Sequence, residues 1–464
     1  MRATIFYKQF FTVLIAVLCG AGTWTYASRI LIPRQEFDAA VYDRPRGNLS
    51  DLYPRWEGAR ELLLNGRDPY SAEVSREIQA GYYGRVLDPS RPNEPTDQQG
   101  FAYPVYVVFG LAPTIRMPFA FVQKGFFWML LFLTAGSCAV WLRILRCSVS
   151  LSIQIALVAL TLGNVAVMQG LKLQQISLLV VPLIAIATML LTARRVTAIQ
   201  FAANQLATKR HLANHIPPTY AVTAGILLAV ATIKPQLVVL LLGWLGLWTL
   251  ADWRRRHVWA VSFLSAMALL MAASEWYLPH WIPRFWHAVQ EYERYTGAMS
   301  VISRLIGSPW SSLLEFLAFG ALALACWRER RQPADSRAFA LIVSLVLATT
   351  MLFVPGYAPY NQVLLIPALL LLVKDRRTIW QRSILNRLLF AITIGLVAWP
   401  SLSSTVLAAL SFAVAQRVME RAWAVPLWTL TQIPVGVAGM MMLHYYQETA
   451  AQGAFTAPAS PGTS

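Results

Sequence analysis

Charge is scarce in this chain, and acidic charge scarcest of all. Only 13% of its 464 residues are Asp, Glu, Lys or Arg, and 22 acids stand against 39 bases. Soluble domains carry about 25% charge. With 57% of its residues hydrophobic, the chain cannot cover itself with polar surface, which excludes an ordinary soluble globule. Cysteine is nearly missing: Cys19, Cys138, Cys147 and Cys326 all lie in or beside apolar runs. Neither a disulfide framework nor a cysteine metal site follows. The sequence holds no Walker loop, no GxGxxG after a strand, no HExxH and no Gly-x-Ser-x-Gly, so those nucleotide-binding and hydrolase signatures are excluded. His280 and His287 are too isolated to argue for a metal, and no cofactor is expected.

What is present is apolar length and interface aromatics. Seventeen Trp and seventeen Tyr suit many membrane–water boundaries. The net charge of +17 would suggest nucleic acid in a soluble protein. Here the basic residues sit in short loops between apolar runs, where they set topology, and no nucleic-acid partner is expected. The fold class is therefore all-α and polytopic, a bundle of about ten to twelve membrane-spanning helices forming one domain over residues 1–446. A small polar tail over 447–464 has the composition of a disordered segment.

The first apolar run, Phe10 to Ala27, lacks an A-x-A-like end and is expected to be an uncleaved span. A polar loop, residues 28–102, follows. Gly100–Ala120 holds three prolines and reads as a short embedded or re-entrant element. Spans are expected at about Gly125–Leu142, Leu151–Met168, Ile176–Leu191, His257–Trp276, Ser311–Trp327 and Phe339–Val354. Ala221–Leu250 divides at Lys234-Pro235 into two short helices. Asn361–Val373 begins another span. Leu388–Val414 is one broken helix or a hairpin about Trp399-Pro400, and Ala424–Leu443 is last.

With the N-terminus in the cytoplasm, the basic loops around Arg143/Arg146, Arg194/Arg195/Lys209/Arg210, Arg254–Arg256, Arg328–Arg337 and Lys374–Arg377 all fall inside, as the positive-inside rule requires. The other face then receives the 28–102 loop, Gln169–Gln175, Lys234-Pro235, Tyr277–Pro309 and Gly356–Tyr360. The unusual polar residues thus gather on the extracytoplasmic side of a cell membrane.

Within the first loop, Asp51–Tyr70 is a helix pattern with Leu52, Trp56, Ala59 and Leu63 on one face. Ser50 or Asp51 can cap its start, and Pro54 is tolerable in a first turn. Asn65-Gly66 stops it and Asp68-Pro69-Tyr70 prevents a restart. Arg55 and Glu57 read as its solvated face. Lys234 lies inside an apolar run, where a charge costs about 2.5–3.5 kcal/mol on insertion scales. It is either a snorkelling lysine or a cation for a lipid-borne phosphate. Gln169, Lys172, Gln174 and Gln175 form either a plain hairpin or part of a sugar or phosphate pocket. In Tyr277–Pro309, His287, Glu291, Glu293 and Arg304 stand among Trp281, Trp286, Tyr292 and Tyr295. They make a sugar site or an interface belt. Tyr357 and Tyr360 lie in a Pro/Gly turn.

Taken in order, these pieces resemble glycosyltransferase family 87 of the GT-C class, the polyprenol-phosphate-mannose-dependent mannosyltransferases. The matching stretches are Asp51-Leu-Tyr53 with Gly66-Arg-Asp-Pro-Tyr70, Phe101-Ala-Tyr103-Pro104, Gln169–Gln175, Gly225 to Lys234-Pro235, Ser303-Arg304-Leu305 and Pro355–Leu365. The C-terminal third matches little beyond composition, and two departures stand within the matching stretches. Tyr103-Pro104-Val105 stands where the family has Tyr-Pro-Pro, and Asn361 stands where an acid often follows the tyrosine. The resemblance implies a GT-C-like bundle with a large first extracytoplasmic loop carrying amphipathic helices. It implies inverting transfer of a hexose, mannose favoured, from a polyprenyl-phosphate sugar to a lipid or glycan acceptor. The family's base maps to Asp51, with Asp38, Asp43, Glu57 and Asp68 as rival carboxylates. Lys234 and Arg304 are the candidate phosphate cations. Tyr53, Tyr103, Gln169, Gln175, His287, Tyr357 and Tyr360 complete the expected substrate contacts. The alternative is a transporter or flippase, in which broken helices with a lysine at depth also occur. No second copy of the Asp51–Tyr70 or Lys234 pattern is present, as an internal repeat would require.

Overall fold

A computed structural model describes residues 2–42, 50–88, 90–91, 94–95, 97–193, 216–297 and 299–456. Among these there is no strand. A bilayer admits either helices or closed barrels, because every backbone N–H and C=O must be satisfied within the protein. Arg194, Arg195, Lys209, Arg210 and Asp43 lie outside the described residues.

The first helix runs on past Ala27. Arg2–Tyr26 continues through a π-helical stretch, Ala27–Leu31, into Ile32–Val41. The π stretch lies directly before Pro33, whose missing N–H cannot complete the α ladder. The polar loop thus opens at Tyr42 rather than Ser28. The amphipathic helix is Tyr53–Asn65, ended by Gly66 in the left-handed region at φ 66°. Leu52, Trp56, Ala59 and Leu62 are buried. A second helix, Ala72–Tyr83, starts where Ser71 Oγ accepts from the Val74 N–H at 3.2 Å.

Gly100–Ala120 contains only the short helix Val107–Leu111 and a 3-10 turn, Ala112–Thr114, too little to cross a bilayer. The next helix starts at Phe119 and reaches Ile144. The expected span Leu151–Met168 is broken. Leu151–Leu162 and Val165–Lys172 meet at 62°, where Asn164 Oδ1 caps the Ala166 N–H at 2.9 Å. Gln169 and Lys172 are therefore helical, and the turn proper is Leu173–Ile176. Ser177–Thr192 follows.

Pro218–Ala231 and Val239–Leu250 are the two short helices that meet around Lys234-Pro235. At 14 and 12 residues each is about 20 Å long, short of the roughly 30 Å hydrocarbon core. Residues 232–238 leave helical geometry there because Pro235 pushes Lys234 to an extended φ of −125°. Trp253–Tyr277, Trp310–Glu329 and Arg337–Phe353 follow the expected spans closely. Ile384–Leu410 is one helix straight through Trp399-Pro400. The last helix is Ile433–Thr456, so the chain stays helical past Gln447, and 457–464 lie outside the described residues. Five helices among the described residues are long and apolar enough to cross alone, six with the bent pair. Five shorter apolar helices pack among them, and a total of ten to twelve requires counting these.

One continuous buried cluster extends from Tyr26 to Tyr445. The two loop sets separated by charge alternation are also bonded within themselves. Arg146 Nη2 donates to the Asp335 carbonyl at 3.0 Å, Lys374 Nζ to the Leu145 carbonyl at 2.6 Å, and Arg256 to the carbonyls of Arg330, Arg331 and Gln332. The loops of the other set converge on a cavity.

Candidate active site

The cavity holds about 300 Å³ and is walled by five separate segments, the neighbourhoods of Asp51, Asp97–Pro104, Ile233–Gln236, Phe285–Tyr295 and Pro355–Tyr360. All five belong to the set assigned to the extracytoplasmic face. One wall is the body of the helix Trp281–Thr296; helix ends and non-helical chain make up the rest, the setting in which irregular backbone is tolerated within a membrane protein.

Asp51 does not cap the helix it precedes. Ser50 Oγ accepts from the Leu52 N–H at 3.1 Å instead, which leaves the Asp51 carboxylate to the cavity. One oxygen accepts from Tyr82 Oη at 3.3 Å and the other from Gln175 Nε2. Gln175 is 2% exposed. It is swung toward Asp51 by Gln174, which holds a left-handed φ of 48°, a costly conformation that persists only where the surroundings enforce it. Burial pushes the Asp51 carboxyl above its ordinary value. Arg55 and Lys234 oppose that shift, Asp97 adds to it, and the Tyr82 hydrogen bond opposes it.

Lys234 is 6% exposed. Its Nζ donates to Ser177 Oγ at 2.6 Å and Asn361 Oδ1 at 3.1 Å, and sits 4.9 Å from the Tyr360 ring centre. These partners are neutral, and among the described residues no carboxylate forms an ion pair with it. It does not snorkel out of the protein. Gly170 brings the Tyr360 turn in closely: a Cβ there would lie 3.0 Å from Tyr360 Cβ.

Arg55, expected on the solvated face, lines the cavity with Asp51 one helical turn away. Its guanidinium lies 4.3 Å from the Tyr103 ring centre and makes no hydrogen bond or ion pair among the described residues. Tyr103 is held from behind, its carbonyl accepting from Tyr70 Oη at 2.6 Å. The Gly66–Tyr70 motif is thus scaffolding. Asp68 accepts from the Tyr70 N–H at 2.9 Å and pairs with Arg284 at 2.8 Å, tying the first loop to the helix Trp281–Thr296 that forms one wall.

Of the residues expected from sequence, Asp51, Tyr103, Lys234 and Tyr360 line the cavity, and Gln175 backs it. The others stand elsewhere. Tyr53 packs edge-on against Phe119 at 4.9 Å. Gln169 is half-buried, its side-chain oxygen without a partner among the described residues. His287 is exposed beside Glu291, 3.7 Å away. Arg304 is exposed. Tyr357 Oη donates to the Leu430 carbonyl and accepts from Gln362. Among the rival carboxylates, Asp38 pairs with Arg34 at 3.0 Å, Asp68 with Arg284, and Glu57 lies outside the cavity lining. Sequence reasoning missed Arg55 and Asp97. The spacing of four between Asp51 and Arg55 is the signal that could have found the first.

Asp375, His444 and Glu448 bring potential ligand atoms within 4.8 Å of one another. Arg337 already bridges both carboxylates, at 2.8 and 2.7 Å, and makes the cluster an ion-pair knot. It sits at the opposite end of Arg337–Phe353 from the cavity residues Pro355 and Gly356, about 25 Å away along that helix.

A model of glycosyltransferase family 87 matches residues 101–355, more than half of the chain. The match covers Tyr103, Lys234 and the Trp281–Thr296 wall, while Asp51 and Arg55 precede it. No curated protein and no solved structure matches the chain.

Proposed function

The chain belongs to glycosyltransferase family 87 and is a membrane glycosyltransferase, and on that premise we propose that it moves a hexose, mannose favoured, from a polyprenyl-phosphate sugar to a lipid or glycan acceptor. The observation that carries the reading is one cavity holding a carboxylate, Asp51, and two cations, Lys234 and Arg55, neither of them ion-paired among the described residues. Asp51 is one opposite charge facing two cations, buried Lys234 and half-buried Arg55, and an anionic ligand supplies the second.

The step proposed is an in-line displacement. The acceptor hydroxyl oxygen bonds to the anomeric carbon as the bond from that carbon to the phosphate oxygen breaks. The electron pair leaves on the polyprenyl phosphate, the hydroxyl proton passes to Asp51, and the anomeric configuration inverts. Asp51 serves as general base. The leaving phosphate needs no acid, and its developing charge is met by Lys234 as a point charge and by Arg55 as a two-pronged donor. Arg55 takes the part first given to Arg304. The charge alternation along the sequence supports the extracytoplasmic face as the place of the reaction.

The test is incubation of the purified protein with labelled polyprenyl-phosphate mannose and lipid extract. Label in a new species with wild type, and none with Asp51→Asn, is the expected result. Label that crosses a vesicle membrane while staying on the polyprenyl phosphate would instead identify a flippase.

A further inference from the structure

The cavity has two chemically different ends. Asp51 is held from two sides: Gln175, in the same turn as the Ser177 that accepts from Lys234, donates to one oxygen, and Tyr82, whose ring packs edge-on against Tyr83 at 4.8 Å, donates to the other. The Gln175 side of Asp51 leads to Lys234 and the Tyr82 side to Tyr83, which bonds the Asp97 backbone, so Lys234 and Asp97 are reached from opposite sides of Asp51 in one cavity. Tyr292 and Tyr295, whose rings meet edge-on at 5.4 Å, form part of the aromatic wall of the same cavity.

Asp97 is firmly held. Tyr83 Oη donates to its carbonyl at 2.8 Å, and the Gln99 N–H donates to its Oδ1 at 2.9 Å. Gln99 takes a left-handed φ of 54° to do so. Oδ2 has no partner among the described residues, and the side chain lines the cavity.

We propose that the Asp97 end is the acceptor subsite, that it takes a neutral sugar ring, and that Asp97 accepts a hydrogen bond from a hydroxyl beside the reacting one. This rests on the transfer reading given above. Inversion puts leaving phosphate, anomeric carbon and attacking oxygen on one line. With the phosphate between Lys234 and Arg55 and the attacking oxygen at Asp51, the body of the acceptor extends from Asp51 along its Tyr82 side, toward Asp97. A monohydric alcohol would leave the Asp97 carboxylate without a donor, which is how a polar site rejects a ligand lacking a hydroxyl. An anionic acceptor would meet Asp97 and Glu293 as like charges. The rings of Trp286 and Tyr292 offer faces for the apolar side of a sugar.

The experiment is a titration of the full-length protein with methyl α-mannopyranoside and methyl α-glucopyranoside, followed by tryptophan fluorescence, with 1-butanol as the one-hydroxyl control. At least one hexoside should bind wild type, and 1-butanol should not. Asp97→Asn should weaken that hexoside by roughly 10- to 100-fold, the loss expected for one hydrogen bond to a charged group. Lys234→Gln, at the other end, should leave its affinity unchanged. One monodeoxy analogue should bind wild type and Asp97→Asn equally. The proposal is overturned if neither hexoside binds wild type, if Asp97→Asn binds as wild type does, or if Lys234→Gln weakens binding as much as Asp97→Asn. The transfer reading fails separately, by label transfer that persists in Asp51→Asn. Asp97→Glu, which keeps the charge, serves as a folding control and should retain part of the affinity.

Discussion

Gln175 donates to one oxygen of Asp51 across 124 positions of sequence. The other oxygen has only the Tyr82 hydroxyl, at 3.3 Å, long for an O–H···O bond. One oxygen is therefore fixed and the other is lightly held, and the lightly held one is the oxygen available to take a proton.

Asp51→Asn keeps the shape and loses the base. Transfer should fall by roughly 10²- to 10⁴-fold in initial-rate assays. Stability should move the other way. A carboxyl raised by burial is costly once ionised, so the native state is less stable above the raised value than below the ordinary one. At neutral pH the Asn variant should melt at a higher temperature than wild type. Wild-type turnover by this variant would remove Asp51 from the mechanism.

The rate should depend on pH through the same group. Because Asp51 is raised above 3.8, the acid limb of kcat/KM should have its midpoint above that value, activity being lost as pH falls through it. Gln175→Met removes a donor to the charged form, which disfavours ionisation. The acid limb should then move to still higher pH, and a downward move would contradict the contact.

Two arginines separate cleanly. Arg55→Ala should lower kcat/KM for the polyprenyl-phosphate donor by roughly 10- to 100-fold, as expected for lost hydrogen bonds to a charged ligand. Arg304 is exposed and outside the cavity lining, so Arg304→Ala should stay within about 2-fold, the range of a surface change. The reverse order would restore Arg304 as the phosphate cation.

Asp68 and Arg284 clamp the first loop to the wall helix. Their side chains are 28% and 40% exposed, so the pair should contribute no more than about 1 kcal/mol to stability. Its effect on transfer should be larger and non-additive. Asp68→Asn, Arg284→Ala and the double variant should show the same loss of kcat, because each releases the same clamp. Simple multiplication of the single losses would show two independent roles.

At the opposite end, Asp375 is buried, which pushes its carboxyl up. The hydrogen bond from His444 and the charge and donors of Arg337 outweigh this and hold it below the ordinary value. A lowered carboxyl contributes stability that is full above the unfolded value and lost as pH falls through the folded one. Thermal midpoints should therefore fall more steeply with acid in wild type than in Asp375→Asn, while activity per folded molecule stays equal. Midpoints that run parallel would show that the knot is electrostatically idle.

The sequence alone determined the architecture, an all-α polytopic membrane protein. Apolar length, proline positions and the spacing of basic loops are properties of short stretches, and the bilayer reads them locally. It misjudged only boundaries, such as Ser28 for Tyr42 and the unbroken Leu151–Met168, because a π stretch before Pro33 and an Asn164 cap depend on how the neighbouring turns pack. Asp51 was also singled out by its motif, and folding puts it in the cavity wall. Which cations face it was not legible. Arg55 and Arg304 are equally charged on paper, and Arg55 was assigned to water because its own helix offered no reason to bury it. The reason lies in Tyr103, Lys234 and Tyr360, which arrive from three distant segments and close a cavity over that face. Asp97 shows the same limit, since a lone acid in a polar loop acquires meaning only when folding brings it into the cavity that Asp51 and Lys234 also line. Local pattern decides what a segment becomes, and only packing between distant segments decides what a charged side chain faces.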